Sequence, residues 1–144
     1  IMRDGNQWRP FVHVKDASRA FIKVIEADSE LVNGQIFNVG SNEQNFQIFQ
    51  LAKMIADSLG LDFTYEWYGS PDNRSYRVSF DKIRNVLNFT PRYTPKDGAR
   101  EIFEALKNGM LPIDDPKTIT VKWYKTLIEM DKILKETKIN DRLL

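Results

Sequence analysis

The stretch Arg9-Pro10-Phe11-Val12-His13-Val14-Lys15-Asp16 decides the fold, because it places a cation, a strand and a helix start within eight residues. Residues 11–14 form a short run of aromatic and β-branched side chains, which favours a strand. Asp16 is predicted to cap a helix, because aspartate is preferred at helix N-caps and apolar residues then recur at helical spacing as far as Ile25. The stretch therefore predicts a strand that leads directly into a helix.

A second strand-then-helix unit follows the turn signal Asn33-Gly34. Residues 35–39 are predicted to form a strand, and a helix is predicted from near Asn45 to Gly60, where glycine suits a left-handed cap. Residues 62–68 alternate loosely and are rich in aromatics, which suggests a third strand. Two strand-then-helix units in succession favour a mixed α/β architecture.

Three further helices are predicted in the second half of the chain. A short one carries Ile83 and Leu87, and the next begins at Thr94-Pro95-Lys96-Asp97, where a hydroxyl, a proline and an acid all suit a helix start. A long helix is predicted from about Thr118. These patterns locate four helices before the long one. The chain as a whole is expected to form a few short strands and about five helices plus a long C-terminal helix, with residues 1–111 as one domain and residues 112–144 as a linker and helical extension.

Composition excludes several classes of function. The chain has no cysteine and one histidine, which rules out disulfides and thiolate metal sites and makes a histidine-rich metal site improbable. The net charge is +1, and the sequence lacks the cationic stripe that is typical of a nucleic-acid binder. No apolar run is long enough for a membrane span and no signal peptide is readable, so we expect neither nucleic acid nor membrane as a partner, and a cytoplasmic location.

Three segments carry a resemblance to a known family. Besides the opening stretch they are Phe37-Asn38-Val39-Gly40-Ser41 and Asp72-Asn73-Arg74. In this order and spacing, residues 5–107 resemble the C-terminal, substrate-binding part of the extended short-chain dehydrogenase/reductases, the NAD-dependent nucleotide-sugar epimerases and dehydratases. The resemblance implies the mixed α/β C-terminal lobe of such an enzyme.

The resemblance also implies a role for two arginines. In the family, the residues matching Arg9 and Arg74 hold the diphosphate of a nucleoside-diphosphate sugar, and a planar guanidinium suits this because it gives two parallel hydrogen bonds to phosphate oxygens. Asn38, before a glycine, is a third candidate that fixes a loop near the ligand. The alternative is that the arginines are ordinary surface charges or structural ion pairs. Arg77 is expected on the opposite side of an extended segment from Arg74.

Two motifs that the family's reaction requires are missing from this sequence. There is no glycine-rich cofactor turn, and none of the five tyrosines has a lysine four positions later. We therefore predict no catalytic and no cofactor-binding residue in this chain, with NAD(P) bound by an intact parent protein of which this chain would be a fragment.

The alternative function is a non-catalytic interaction or oligomerisation module. Trp123, Leu127, Met130 and Leu134 form an apolar stripe on the predicted C-terminal helix, which could be the seam of a homodimer or could pack on its own domain. Self-association is expected, because apolar faces near residues 16–27, Phe11 and Phe37 would be exposed without a dinucleotide-binding half. A nucleic-acid-binding helix at residues 117–143 is a third, disfavoured interpretation.

Overall fold

The computed structural model describes residues 1–112, 114–139 and 142–143, and the chain forms two compact units, residues 1–101 and 102–144. The described residues form six α-helices and two small antiparallel sheets. The helices are α1 (Val14–Ile25), α2 (Ser29–Val32), α3 (Ile48–Leu59), α4 (Asp81–Leu87), α5 (Pro95–Lys107) and α6 (Thr120–Thr137). The strands are β1 (Trp8–Pro10), β2 (Asn45–Gln47), β3 (Lys138–Ile139) and β4 (Arg142–Leu143). The mixed α/β class and the five helices before a long C-terminal one are confirmed.

Strand β1 lies between two neighbouring segments of the first unit. It pairs antiparallel with β2, with Arg9 opposite Phe46. On its other side an extended segment runs past Trp8, whose N–H donates to Ser75 Oγ at 3.0 Å and whose carbonyl accepts from the Tyr76 N–H at 3.3 Å. This segment brings residues 72–76 to the side of Arg9, although the two are more than sixty residues apart in sequence.

The core of the first unit is built around α4. Ile83 is fully buried, and Leu87, one helical turn later, is 4% exposed. Ala20 from α1 and the rings of Phe80 and Phe89 complete the cluster. Gly40 is required beside it, because a Cβ there would lie 2.6 Å from Cε1 of Phe80. The Asn-Val-Gly segment of the sequence therefore carries glycine where a ring approaches the backbone.

The first strand and the first helix cap differ from the prediction. Residues 11–13 are not in a strand, because the Phe11 N–H donates to the Gln44 carbonyl at 2.9 Å, and Gln44 ends a 3₁₀ turn rather than belonging to β2. His13 is the N-cap of α1, where its Nδ1 accepts from the Lys15 N–H at 3.2 Å. The assignment of Asp16 as the cap was wrong: Asp16 lies in the first turn and is fully buried.

The strands predicted at residues 35–39 and 62–68 are also absent. Both segments keep the alternation of a strand, since Phe37 and Val39 pack against the core while Ile36 is 84% exposed. In the second segment, alternate rings pack on Phe49, with centroid distances of 5.0 to 5.4 Å. Residues 35–39 form no hydrogen-bonded ladder, and residues 62–68 are paired only at Tyr68, which forms an isolated parallel bridge with Met2. Period-two packing therefore occurs here without an extended sheet.

The predicted helix ends are confirmed at two places. Gly60 caps α3 in the left-handed region, with φ 68° and ψ 30°. Before α5, the backbone N–H and the hydroxyl of Thr94 both donate to Asp97 Oδ2 at 2.7 Å. Thr94 and Asp97 thus hold the start of the helix together.

The second unit consists mainly of α6. Asp115 Oδ1 accepts from the Lys117 N–H at 2.9 Å and caps a 3₁₀ turn that leads into the helix. The predicted stripe is on the surface, with Leu127 39%, Met130 50% and Leu134 41% exposed. None of the helices in the described ranges is long and apolar enough to span a membrane.

Candidate functional site: two arginines on one carboxylate

Arg9 and Arg74 converge on the carboxylate of Asp72. Arg9 Nη2 donates to Asp72 Oδ2 at 2.9 Å. Arg74 donates from Nε to Oδ1 at 2.9 Å and from Nη2 to Oδ2 at 3.1 Å, so its contact is bidentate. The two arginines that the sequence singled out are therefore neighbours in the fold.

The turn sequence explains why Arg74 points back at Asp72. The Arg74 backbone N–H donates to Asp72 Oδ1 at 3.0 Å, which is the two-residue reach of an aspartate that closes a turn with its own side chain. This bond fixes the backbone of Arg74, and the bidentate contact then fixes its side chain. The Asp-x-Arg spacing is thus sufficient to build this half of the cluster.

Arg9 is held more tightly than Arg74. Its Nη1 donates to the carbonyl of Trp8 at 2.7 Å and also to the carbonyl of Arg74, and its Cζ lies 5.1 Å from the centroid of the Tyr76 ring. The Arg9 side chain is 21% exposed, whereas that of Arg74 is 80% exposed. Arg9 therefore joins β1 to the turn, and Arg74 presents its guanidinium to solvent.

The cluster fixes the charge state of its carboxylate. Hydrogen bonds from the Arg74 side chain, and then from its backbone N–H, lower the pKa of Asp72 to about 2. The same side-chain hydrogen bond raises the pKa of Arg74. At neutral pH the three side chains carry two positive charges and one negative charge, and the cluster keeps a net positive charge.

Three asparagines hold the segment that follows the cluster. Asn45 Nδ2 donates to the Val78 carbonyl at 3.0 Å and its Oδ1 accepts from the Val78 N–H at 2.9 Å. Asn42 Oδ1 accepts from the Phe80 N–H at 2.9 Å, and Asn38 Nδ2 donates to the Ser79 carbonyl at 3.2 Å. Sequence reasoning identified Asn38 but missed Asn42 and Asn45. The recurrence of asparagine around the Gly40 turn was the sequence pattern that could have identified them.

A cavity of about 270 Å³ lies between Asn38 and Tyr76. Pro10, Phe11, Asn38 and Tyr76 are among the residues that line it. Tyr76 is the link, because its ring lines the cavity and also lies against the Arg9 guanidinium. Asn38 does not contact the arginine pair; it borders the cavity next to it.

Other candidates lie elsewhere. The guanidinium of Arg77 stacks on the Trp8 ring, with Cζ 3.9 Å from the ring centroid, and does not join the bonds on Asp72. The His13 side chain is 8% exposed, and its ring stacks on Tyr93 with a centroid distance of 4.7 Å, so His13 is packed into the fold. The described residues contain no group of three or more acids and histidines placed to hold a metal ion.

The chain is similar to known proteins in sequence and in fold. Residues 1–40 match the model of the NAD dependent epimerase/dehydratase family. The chain is 25% identical over 107 residues to CDP-paratose 2-epimerase of Salmonella typhi, covering 72% of this chain and 31% of that protein. It is 26% identical over 110 residues to a putative UDP-glucose 4-epimerase of Methanocaldococcus jannaschii, covering 76% and 34%.

Solved structures show the same fold. UDP-glucuronic acid 4-epimerase from Bacillus cereus, solved with UDP-glucuronic acid and NAD, superposes with a TM-score of 0.63 at 21% identity, over 75% of this chain and 34% of that one. PbgP3 protein from Burkholderia pseudomallei gives a TM-score of 0.57 at 25% identity, over 74% and 33%. The chain thus spans about a third of the length of these relatives. The resemblance to the NAD-dependent nucleotide-sugar epimerases and dehydratases of the extended short-chain dehydrogenase/reductase family is confirmed.

Proposed function

We propose that this chain binds the diphosphate of a nucleoside-diphosphate sugar through Arg9 and Arg74, as the substrate-binding part of an NAD-dependent epimerase or dehydratase. The observation that carries the proposal is the convergence of both guanidinium groups on one anion, the Asp72 carboxylate. Two arginines that meet at one carboxylate are spaced to meet at a phosphate as well, because both anions accept parallel N–H bonds.

The unused hydrogen-bond donors support this role. A guanidinium has five N–H donors. Within the described residues, Arg9 uses three and the Arg74 side chain uses two. Several donors therefore stay available to a ligand while Asp72 remains in place. The net positive charge of the cluster favours a diphosphate.

The cavity beside Tyr76 supports a place for the rest of the ligand. It is close to the arginine pair through the Tyr76 ring, and Asn38 gives it a polar side chain among mostly apolar ones. We propose that Asn38 acts there by holding the Ser79 carbonyl, and so fixes the cavity wall rather than carrying a charge.

The remaining functional assignments extend the same proposal. NAD(P) would be bound by a part of the enzyme outside this chain, and this chain alone would not catalyse the reaction. Residues 1–111 would form the nucleotide-sugar-binding part and residues 112–144 an extension to it. The cytoplasm stays the proposed location.

Calorimetry with UDP-glucose tests the arginine pair. Arg9→Lys and Arg74→Lys keep the charge but remove the two-pronged guanidinium, and each should weaken binding about tenfold, the loss of one charge-assisted contact. Uridine, which has no phosphate, is the control ligand and should show no difference among the proteins. Affinities for UDP-glucose that match the original protein in both variants would refute the proposal.

Self-association is a second candidate function, favoured by exposed apolar side chains in both units. Phe21 is 72% and Ile25 81% exposed on α1, and Ile128 is 69% exposed on α6. Large exposed apolar patches mark interaction sites. We expect sedimentation velocity to show concentration-dependent association that Ile25→Glu or Leu127→Glu reduces. A monomer at every concentration would exclude it.

A further inference from the structure

We propose that Asp72 is a positioning residue for the diphosphate site: it holds both guanidinium groups in place and stays bound to them when the ligand binds. The inference rests on the proposed function of Arg9 and Arg74. It concerns a residue whose negative charge would, by simple electrostatics, oppose a phosphate. Asp72 could either compete with the ligand for the arginines or hold the arginines in the orientation that the ligand needs. The geometry favours the second role.

The bonds to Asp72 are complete. A carboxylate has about four acceptor positions. Asp72 accepts one bond from Arg9 Nη2 and three from the Nε, Nη2 and backbone N–H of Arg74. The side chain is 10% exposed. A competitor that leaves when a ligand arrives would have to give up all four bonds.

The backbone bond makes that departure unfavourable. Rotation of the Arg74 side chain can release Nε and Nη2, but it cannot release the Arg74 N–H, which belongs to the turn. Asp72 therefore stays beside the arginines even when Arg74 changes rotamer. A ligand phosphate is best accommodated by the donors that Asp72 leaves unused.

The exposure of Arg74 shows what Asp72 contributes. With 80% of its side chain exposed, Arg74 depends on the bidentate contact to Asp72 for a defined orientation. Without this contact the side chain would sample many rotamers, and a ligand would have to order it on binding. Asp72 therefore lowers the entropic cost of binding, although its charge repels the ligand.

Asp72→Asn tests the inference, because it removes a negative charge but also the bidentate contact. We expect this variant to bind UDP about five- to tenfold more weakly by calorimetry, despite its more positive net charge. Glu66→Gln makes the same charge change at an exposed position of the first unit and should leave the affinity near that of the original protein. Unchanged or tighter binding by Asp72→Asn would overturn the inference.

Two further measurements keep the test decisive. Asp72→Glu retains the charge and should bind UDP more tightly than Asp72→Asn; equal or weaker binding by the glutamate variant contradicts positioning. The Nε–H signal of Arg74 in ¹⁵N NMR should exchange faster in Asp72→Asn than in the original protein, and an unchanged rate would contradict the inference. If Arg9→Lys and Arg74→Lys bind normally, the proposed function itself fails. If they bind weakly while Asp72→Asn binds tightly, only the role of Asp72 is wrong.

Discussion

Asp16 and Asp72 are both aspartates paired with arginine, yet they lie in very different surroundings. Asp16 is fully buried and accepts bonds from the backbone N–H groups of Arg92 and Tyr93 as well as from the Arg19 side chain. Asp72 lies near the surface and is bonded mainly to arginine side chains, one of which is 80% exposed. Both carboxylates join distant parts of the chain, but only Asp72 also holds a guanidinium that is largely exposed to solvent.

The difference shows how the surroundings of a structural ion pair differ from those of the proposed binding site. Arg19 is 30% exposed and its guanidinium also lies against the Phe89 ring, with Cζ 5.5 Å from the centroid, so it is packed into the fold. Within the described residues the Arg74 guanidinium stacks on no aromatic ring, and its side chain is 80% exposed. A guanidinium can receive a ligand when its partner fixes it but leaves donors exposed.

The largest expected effect is on stability at Asp16. Asp16→Ala leaves two backbone N–H groups and Arg19 without their buried acceptor, and should lower the free energy of unfolding by about 3–5 kcal/mol. Asp72→Ala, at the surface cluster, should cost much less. Urea unfolding of both variants checks this comparison. Equal losses would contradict the distinction between the two sites.

A smaller effect is expected at Asn45, which holds Val78 on both its N–H and its carbonyl. Asn45→Ala should lower the free energy of unfolding by about 1–3 kcal/mol, the cost of partly buried polar groups left unpaired. Hydrogen exchange should accelerate at the Val78 amide and not at the Tyr93 amide, which Asp16 holds. Faster exchange at both would mean that the two regions do not unfold separately.

The pH dependence of stability should separate the aspartates as well. The folded pKa of Asp72 is about 2, against an ordinary value of 3.8, so the unfolded chain takes up its proton first as the pH falls. The stabilisation from Asp72 is complete above pH 3.8 and is lost between there and about pH 2. Asp72→Asn should therefore lose less stability than the original protein over this interval in acid titrations. An identical loss of stability in the two proteins would show that the folded protein does not keep Asp72 ionised.

The pKa of Asp16 is also lowered, but by a different balance of burial and hydrogen bonds. Burial raises its pKa, but the N–H bonds from Arg92 and Tyr93 and the contact with Arg19 outweigh burial, and the pKa lies below its ordinary value. Its stabilisation is likewise lost on acidification below pH 3.8. The two sites therefore add to the acid sensitivity of the fold.

The smallest effect is expected at Arg77, which stacks on Trp8 and not on Asp72. Arg77→Lys keeps the charge and serves as the matched control for Arg74→Lys. It should leave the affinity for UDP-glucose unchanged in calorimetry, since Arg77 makes no bond in the cluster. A loss as large as that of Arg74→Lys would mean that general positive charge, and not the arranged pair, attracts the ligand.

Local sequence patterns were enough to predict several of these features. Gly60 at a helix end and the Thr94–Asp97 pair were predictable because each acts within a few residues. The family motifs selected Arg9 and Arg74, although their convergence on Asp72 needed the fold. The structural role of Asp16 was not predictable, because its partners Arg92 and Tyr93 are 76 and 77 residues away. The prediction of strands at residues 35–39 and 62–68 was wrong for a related reason. Periodicity indicates which side of a segment is packed, but not whether a neighbouring strand is present.

An NMR titration with UDP of protein labelled at its arginine side chains tests the proposed site most directly. We predict that the Nε–H signals of Arg9 and Arg74 shift together with one binding curve, while those of Arg19 and Arg77 stay in place. Shifts at Arg19 or Arg77 with Arg9 and Arg74 unmoved would contradict the assignment of the diphosphate to the pair on Asp72.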